Sequence, residues 1–297
     1  MSSINPIKRL SAGAQLRQAA QQHAPLLMPG VINGYCARMA ERAGFDSLYL
    51  SGGGVAAAMG LPDLAVTTLQ DVIIDAERIT AASELPLLVD ADTGFGTWLN
   101  IARTVKSLTR SGAAGIHLED QAQAKRCGHR PNKTLVTAEE MTDRVRAAVD
   151  ARPDDSFVIM ARTDALASES HTQALERACA YAEAGADMIF VEAANTLDDY
   201  RAFKETCQKP ILANITEFGH TPLFTAQELA DAGVNIMLFP LSAFRSMNKA
   251  ALDTYRVIRR EGSQQAVLDG MQTREELYDY LNYHACEQKM DSLFGEK

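Results

Sequence analysis

Eight short apolar segments, each followed by a helical segment, constrain the fold of this chain more than any other feature of its sequence. The segments are residues 26–31, 47–51, 87–90, 115–119, 157–162, 188–192, 211–214 and 234–239. Four of the helical segments end in glycine, as helices do when a left-handed residue leads into the next strand: Gly44, Gly112, Gly185 and Gly233. Eight alternating units predict a (β/α)8 barrel of the TIM type. Such a barrel takes about 250 residues, which the 297 residues of this chain accommodate.

The two ends of the chain are expected to be helical extensions of a single barrel domain that spans residues 1–297. Residues 7–22 have a loose apolar stripe at helical spacing, and the segment 1–24 would lie outside the main fold. After a predicted helix at 242–261, the tail 262–297 contains another amphipathic stretch. This tail cannot close a barrel that is already closed, so it packs either on a neighbouring subunit or back over its own barrel.

Composition argues against several classes of partner. The formal net charge of −9 disfavours nucleic acid, and no apolar run approaches the length that spans a bilayer. Residues 1–22 are polar and lack the apolar core of a secretion signal. Five cysteines at irregular spacing suit a reducing compartment better than a disulfide framework. We therefore expect a cytoplasmic protein that binds neither nucleic acid nor membrane.

Polar or charged residues end most of the predicted strands, although the strands themselves are mostly apolar. These residues are Ser51, Asp90, Glu119, Arg162, Glu192 and Asn214. Barrel enzymes place their chemistry at the carboxyl ends of the strands, and groups of this kind are rarely buried together without partners. The pattern predicts an active site at this mouth of the barrel.

The third strand ends in an Asp-x-Asp pair, Asp90 and Asp92, followed by Gly94 and Gly96. If the extended geometry persists through Asp92, both carboxylates lie on one face. Hard oxygen ligands without a soft partner suit Mg²⁺ or Mn²⁺ and leave open positions for water and substrate. The pair is a candidate metal site.

Other strand ends carry groups suited to an anionic ligand. Ser51 and the glycines that follow it, Gly52 and Gly53, offer successive backbone N–H groups, although a glycine run can also form a plain turn. The planar fork of Arg162 suits a carboxylate, but an arginine here could equally belong to a structural ion pair. The seventh strand closes with further candidate contacts: Asn214, Ile215 and Thr216.

The segment from Lys125 to Lys133 places one thiol, Cys127, among four fixed cations and one imidazole, His129. Gly128 lets the backbone come close to a ligand. A zinc site is disfavoured because no second Cys/His pair lies at metal-ligand spacing. The segment is suited to a polyanion, and Cys127, Lys125 and His129 are candidate catalytic residues.

With these motifs, the chain resembles the isocitrate lyase and phosphoenolpyruvate mutase superfamily, and the resemblance covers nearly the whole sequence. The most specific element is the run Lys-Arg-Cys-Gly-His at residues 125–129. The resemblance implies Mg²⁺ at Asp90 and Asp92, and substrate contacts from the Ser51 segment. Arg245 and Arg274 match substrate-contacting positions of the superfamily, although both could be ordinary surface arginines. A homotetramer with exchanged C-terminal helices is also implied.

The activity that the resemblance implies is cleavage of 2-methylisocitrate into pyruvate and succinate, in propionate catabolism. Cleavage of isocitrate is the enzymatic alternative, and a catalytically dead barrel that only binds carboxylates is another. Cys127 is the candidate acid that protonates the leaving carbanion. The candidates for the base are Tyr49, Asp63 and Glu119. Apolar residues near strand ends could wall a pocket for the methyl group: Phe190, Leu238 and Pro240.

Overall fold

The computed structural model describes residues 10–123, 125–126 and 133–295, and it places eight parallel strands in one barrel. The strands are β1 (Leu26–Pro29), β2 (Leu48–Leu50), β3 (Leu87–Asp90), β4 (Gly115–Glu119), β5 (Val158–Thr163), β6 (Met188–Val191), β7 (Ile211–Asn214) and β8 (Ile236–Phe239). Each strand pairs with its sequence neighbour, β1 pairs with β8, and a bridge between Gly30 and Tyr49 joins β1 to β2. The predicted barrel is confirmed, and its strands begin and end within two residues of the predicted bounds.

Helices alternate with the strands, and most of them cover the outside of the barrel. They are α1 (Ala12–Gln22), α2 (Gly34–Arg42), α3 (Gly52–Ala58), α4 (Leu69–Ala82), α5 (Trp98–Arg110), α6 (Ala138–Asp150), α7 (His171–Glu183), α8 (Leu197–Cys207), α9 (Ala226–Asp231), α10 (Ser242–Glu261), α11 (Arg274–Tyr280) and α12 (Tyr283–Phe294). Many begin at a Ser or Thr whose side chain accepts a backbone N–H of the first turn, as Thr68 does from Asp71. The four glycines predicted to end helices all have φ between +80° and +109°, the region in which a side chain is strained.

The core has two layers, one inside the barrel and one between the sheet and the helices. The inner layer includes Leu16, Ala19 and Ala20 of α1, which are buried against strand residues such as Met28. The prediction that α1 lies outside the main fold is therefore wrong. The face of α1 that contains Leu16, Ala19 and Ala20 packs into the barrel interior, and a Cβ at Gly13 would lie 2.2 Å from the carbonyl oxygen of Ser156.

The C-terminal elements follow the last strand and pack loosely on the barrel. No residue of α10, α11 or α12 is buried in the single chain. The tail contacts α2 of its own chain, where Arg42 pairs with Asp279 and the Tyr35 hydroxyl donates a 2.5 Å hydrogen bond to Gln272. Exchange of these helices between subunits stays a prediction. Among the residues that the structure describes, no helix is both long and apolar enough to cross a membrane.

Candidate active site

A cavity of about 130 Å³ opens at the carboxyl ends of the strands, where the sequence predicted the site. Most of the candidate residues line it: Tyr49, Ser51, Gly53, Asp63, Asp90, Glu119, Lys125, Arg162, Phe190, Glu192, Asn214, Thr216, Pro240 and Arg245. Asp92 lines a second cavity of about 440 Å³ that also includes Lys125. Lys125 therefore lies between the two cavities, and Asp92 faces the second one.

The two aspartates of the candidate metal site converge by a tight turn and not by continued extension. β3 ends at Asp90, and Asp92 has a left-handed φ of +47°, which contradicts the expected extended geometry. Asp tolerates this conformation because its short polar side chain can bond locally. The backbone N–H groups of Asp92 and Gly52 donate to the Asp90 carboxylate, each at 3.0 Å.

Gly52 leaves room for both carboxylates. A Cβ at this position would lie 3.1 Å from an oxygen of Asp90 and 3.1 Å from an oxygen of Asp92. The glycine run was expected to offer backbone N–H groups to an anion or to form a plain turn. It forms the first turn of α3, which Ser51 caps by accepting the N–H of Gly54. Gly52 therefore lies behind the carboxylates and does not line the cavity.

The electrostatics of this pair favour a cation. Burial and the neighbouring carboxylate of Asp90 raise the pKa of Asp92 to about 7. Burial also opposes ionisation of Asp90, but His117 and the cations Lys125 and Arg162 outweigh it and lower its pKa to about 2. Among the described residues, no cluster of three or more His, Cys, Asp or Glu side chains could hold a metal ion. Two hard oxygen donors with open positions fit Mg²⁺ or Mn²⁺.

Lys125 links the acidic pair to the loop that contains Asp63. Its ammonium lies 2.5 Å from Asp63 Oδ1 and 2.7 Å from Asp92 Oδ1, with the side chain 5% exposed. Burial opposes its charge, yet Asp92, Asp90 and Glu119 raise the pKa of Lys125 well above its usual value. Lys125 therefore keeps its positive charge inside the site.

Arg162 is surrounded by carboxylates of its own chain. Its guanidinium donates to Asp164 at 2.9 and 3.2 Å, and it lies 3.4 Å from Glu119 and 3.7 Å from Glu192. The fork predicted to bind a substrate carboxylate is therefore occupied by Asp164. Lys133 also bonds Asp164, at 2.5 Å.

Glu119 and Glu192 form the acidic wall of the cavity. Burial raises the pKa of Glu119 well above its usual value, and Arg162 only partly offsets this. Glu119 Oε1 has no hydrogen-bond partner among the described residues. Glu192 accepts a hydrogen bond from the Asn214 amide at 3.1 Å. The cavity thus combines carboxyl groups with cations in a buried setting.

Five predicted residues that the structure describes do not line this cavity: Gly52 and Asp92, discussed above, and Ile215, Leu238 and Arg274. Ile215 is buried in the layer between sheet and helices, and Leu238 is buried in the barrel interior. Arg274 begins α11, where it is exposed. Leu238 lies on β8 and Ile215 directly follows β7, and packing, not a ligand, takes up the surface of both side chains. Cys127, Gly128 and His129 lie outside the residues that the structure describes.

Several residues of the site were missed by the sequence reasoning. His117 is fully buried and lies 2.9 Å from the Tyr49 hydroxyl and 3.6 Å from Asp90. It precedes Glu119 by two positions on β4, so strand alternation could have placed it on the same face. The same alternation places Asp164 beside Arg162. Phe218 and Gly219 line the cavity from a loop whose course no local pattern indicates.

Comparisons with known proteins agree with this geometry. Residues 16–259 match the family model described as phosphoenolpyruvate phosphomutase. The chain is 59% identical to a 2-methylisocitrate lyase of Escherichia coli (96% of this chain and 97% of the relative). It is 57% identical to the one of Vibrio cholerae (98% and 97%). A crystal structure of 2,3-dimethylmalate lyase, a PEP mutase/isocitrate lyase superfamily member, superposes with a TM-score of 0.88 at 35% identity (97% and 96%). This chain belongs to the phosphoenolpyruvate phosphomutase family, within the PEP mutase/isocitrate lyase superfamily.

Proposed function

We propose that this protein is a carbon–carbon lyase that cleaves 2-methylisocitrate into pyruvate and succinate, a step of propionate catabolism. The names of the relatives, which align over nearly their whole length, support this substrate. One observation carries the chemistry: a cavity at the barrel mouth is lined by Asp90, Lys125 and Arg162, and Lys125 also pairs with the neighbouring Asp92. That combination suits a small polycarboxylate held beside a divalent cation.

Asp90 and Asp92 would hold Mg²⁺, or Mn²⁺ in its place. When bound, this ion polarises the hydroxyl and an adjacent carboxylate of the substrate. Lys125 and Arg162 provide the fixed positive charge that a tricarboxylate needs on entering an acidic protein. Ser51, Gly53, Asn214, Thr216 and Arg245 line the cavity and would contact the other polar groups of the substrate.

The reaction needs a base for the substrate hydroxyl and an acid for the leaving carbon. Removal of the hydroxyl proton lets the oxygen form a carbonyl as the C–C bond breaks, which releases pyruvate. The bond electrons pass to a carbanion delocalised into its carboxylate, and one proton converts this to succinate. Side chains of this protein act as the base and the acid in these two proton transfers.

The surroundings of the three candidate bases differ. Burial, with Asp90 nearby, raises the pKa of Tyr49 well above 10, so its hydroxyl stays protonated and serves as a hydrogen-bond donor. Asp63 is paired with Lys125. Glu119 is buried and lines the cavity, and its pKa is raised. Asp63 and Glu119 are the remaining candidates for the base.

Cys127 is the proposed acid, with Lys125 and His129 beside it in sequence. Cations around a thiol favour the thiolate, whereas a general acid must arrive protonated. The carboxylates of the bound substrate offset those cations. Cys127→Ser should then lower turnover by orders of magnitude and leave succinate binding largely intact, because a hydroxyl is a poorer acid and the cations remain.

We also propose that the protein is a cytoplasmic homotetramer with exchanged C-terminal helices. The single chain leaves large apolar side chains of its C-terminal helices exposed, among them Met247, Leu252, Ile258, Met290 and Phe294. Subunit contacts would bury such surface. In an exchanged arrangement, Arg274 would serve the cavity of a neighbouring subunit. Light scattering of the parent protein and of a chain truncated after residue 261 tests this arrangement.

A coupled assay tests the proposed activity. Purified protein is incubated with 2-methylisocitrate or isocitrate, with and without a chelator, and pyruvate and glyoxylate are measured. We expect pyruvate from the methylated substrate, little glyoxylate from isocitrate, and neither in the presence of chelator. Preferential release of glyoxylate would identify an isocitrate lyase. Binding of both acids without any product would identify a catalytically dead barrel.

A further inference from the structure

The buried group around Arg162 contains a second cation for which the proposed chemistry has no use. Lys133 donates to Asp164 Oδ1 at 2.5 Å, and the two side chains are 2% and 0% exposed. Asp164 also accepts both hydrogen bonds from the Arg162 fork. One carboxylate therefore holds two cations, and only one of them lines the cavity.

The charges around Arg162 show why a second cation matters. Three carboxyl groups lie within 4 Å of its guanidinium, those of Asp164, Glu119 and Glu192. An anionic ligand that enters the cavity would compete with these three carboxyl groups for the positive charge of Arg162. A buried charge without a partner raises the free energy of the folded protein, and its Coulomb interaction with neighbouring charges is strong because water does not screen it.

A second buried layer fixes Asp164 itself. Its backbone N–H donates to Asp120 at 2.9 Å, and Asp120 also accepts from Thr163 at 2.7 Å and from Tyr181 at 3.0 Å. Asp164 therefore has a set position, and the balance of charge on it depends on Lys133 and Arg162. If Lys133 were removed, Arg162 would be the remaining cation that pairs with Asp164 among these contacts.

We propose that Lys133 is a positioning residue that neutralises Asp164 and so leaves the positive charge of Arg162 available to a carboxylate ligand in the cavity. It acts through Asp164 and Arg162 and does not line the cavity itself. The inference rests on the proposed function in that the ligand is taken to be a dicarboxylate or tricarboxylate. It adds that affinity for this ligand depends on the net charge of the buried group.

Succinate binding to charge variants tests the proposal by titration calorimetry at saturating Mg²⁺. Lys133→Met leaves an excess negative charge and should weaken succinate binding by about tenfold. Asp164→Asn leaves an excess positive charge and should bind succinate several-fold more tightly than the parent. The double variant restores the balance and should bind within about threefold of the parent. Lys106→Met, an exposed lysine on α5, is the control and should leave binding unchanged.

A purely structural role for Lys133 predicts a different order, in which the double variant binds no better than Lys133→Met. That order, or unchanged affinity in Lys133→Met, would overturn the proposal. If Lys133→Met does not fold, Asp164→Asn is compared with the double variant, which should bind several-fold more weakly, and equal affinity overturns the proposal. The result is separate from the proposed activity. A parent protein that binds succinate with this charge order but does not cleave 2-methylisocitrate contradicts the activity alone.

Discussion

The hydroxyl of Tyr49 lies 2.9 Å from Nε2 of His117, and the two rings are nearly parallel, with centroids 5.8 Å apart. Both side chains are buried, so this bond fixes the direction of the hydroxyl beside Asp90. Phe190 packs edge-on against the His117 ring, at 5.0 Å between centroids. When Nε2 of His117 carries the imidazole proton and donates it to the phenol oxygen, the phenol's own proton is free for a hydrogen bond to a ligand without reorganisation during the reaction.

Tyr49→Phe should therefore lower kcat by about 100-fold, the usual effect of removing one preorganised donor to a developing negative charge. Succinate binding should change little, because the ring and its packing remain. Tyr200→Phe, at a fully buried tyrosine on α8, is the matched control and should keep near-parent turnover. A kcat of Tyr49→Phe within threefold of the parent would remove the hydroxyl from the mechanism.

His117 should make the stability of the metal-free protein depend on pH. Burial lowers its pKa from 6.5 to about 4, although Asp90 opposes the shift. Between these values the unfolded chain binds a proton that the folded chain does not, so stability falls as pH falls from 6.5 to 4. The shift corresponds to a contribution of up to ~3 kcal/mol.

Urea unfolding in chelator at pH 7 and pH 5 measures this effect. His117→Asn should show a smaller loss of unfolding free energy between the two pH values than the parent does. His23→Asn, at an exposed histidine, should lose as much as the parent. Equal losses in all three proteins would show that His117 titrates normally in the folded state.

The parts of this fold that depend on local pattern were predictable from the sequence. Strand runs, glycine ends of helices and the polar strand ends each follow from short-range periodicity, which explains why the barrel and most of its mouth were found. The left-handed turn at Asp92 was not, because Asp adopts this conformation only where its surroundings favour it. The position of α1 inside the barrel opening depends on contacts distant in sequence.

The pairings between charged groups were the least predictable feature of the site. Arg162 could be read as a ligand for substrate or as a member of an ion pair, and the structure shows a bidentate bond to Asp164. Which carboxylate a buried arginine meets depends on the packing of neighbouring strands. Strand alternation limits the choice to groups on one face, and His117, Glu119 and Asp164 all satisfy that limit.

Asp92→Asn should weaken Mg²⁺ binding by at least tenfold, because one of the two charged ligands becomes neutral. Its activity should recover in part at excess Mg²⁺. Calorimetric titration with Mg²⁺ measures the affinity directly, without turnover. Asp143→Asn, at an exposed carboxylate on α6, should bind Mg²⁺ as the parent does. Equal affinity in Asp92→Asn would place the metal elsewhere, and activity of the parent in chelator would contradict a metal site altogether.

Phe190 is the residue through which we expect the cavity to distinguish 2-methylisocitrate from isocitrate. It lines the cavity with Pro240, whereas Leu238 does not. A methyl group in an apolar pocket contributes about 1–3 kcal/mol, which limits discrimination by hydrophobic contact to roughly 10 to 200-fold. Isocitrate is smaller and is not excluded by a clash. The preference must therefore come from a higher kcat/KM for the methylated substrate.

Phe190→Ala should therefore lower kcat/KM for 2-methylisocitrate and leave the low value for isocitrate nearly unchanged. Phe190 also packs under the Arg162 guanidinium at 5.0 Å and against His117, so a general loss of activity must be separated from a loss of preference. Leu238→Ala provides that comparison, since it removes a buried barrel side chain that does not reach the cavity. It should lower stability and affect both substrates by the same factor. If Phe190→Ala also reduces kcat/KM for both substrates equally, Phe190 supports Arg162 and His117, and the methyl group is bound by another wall of the cavity.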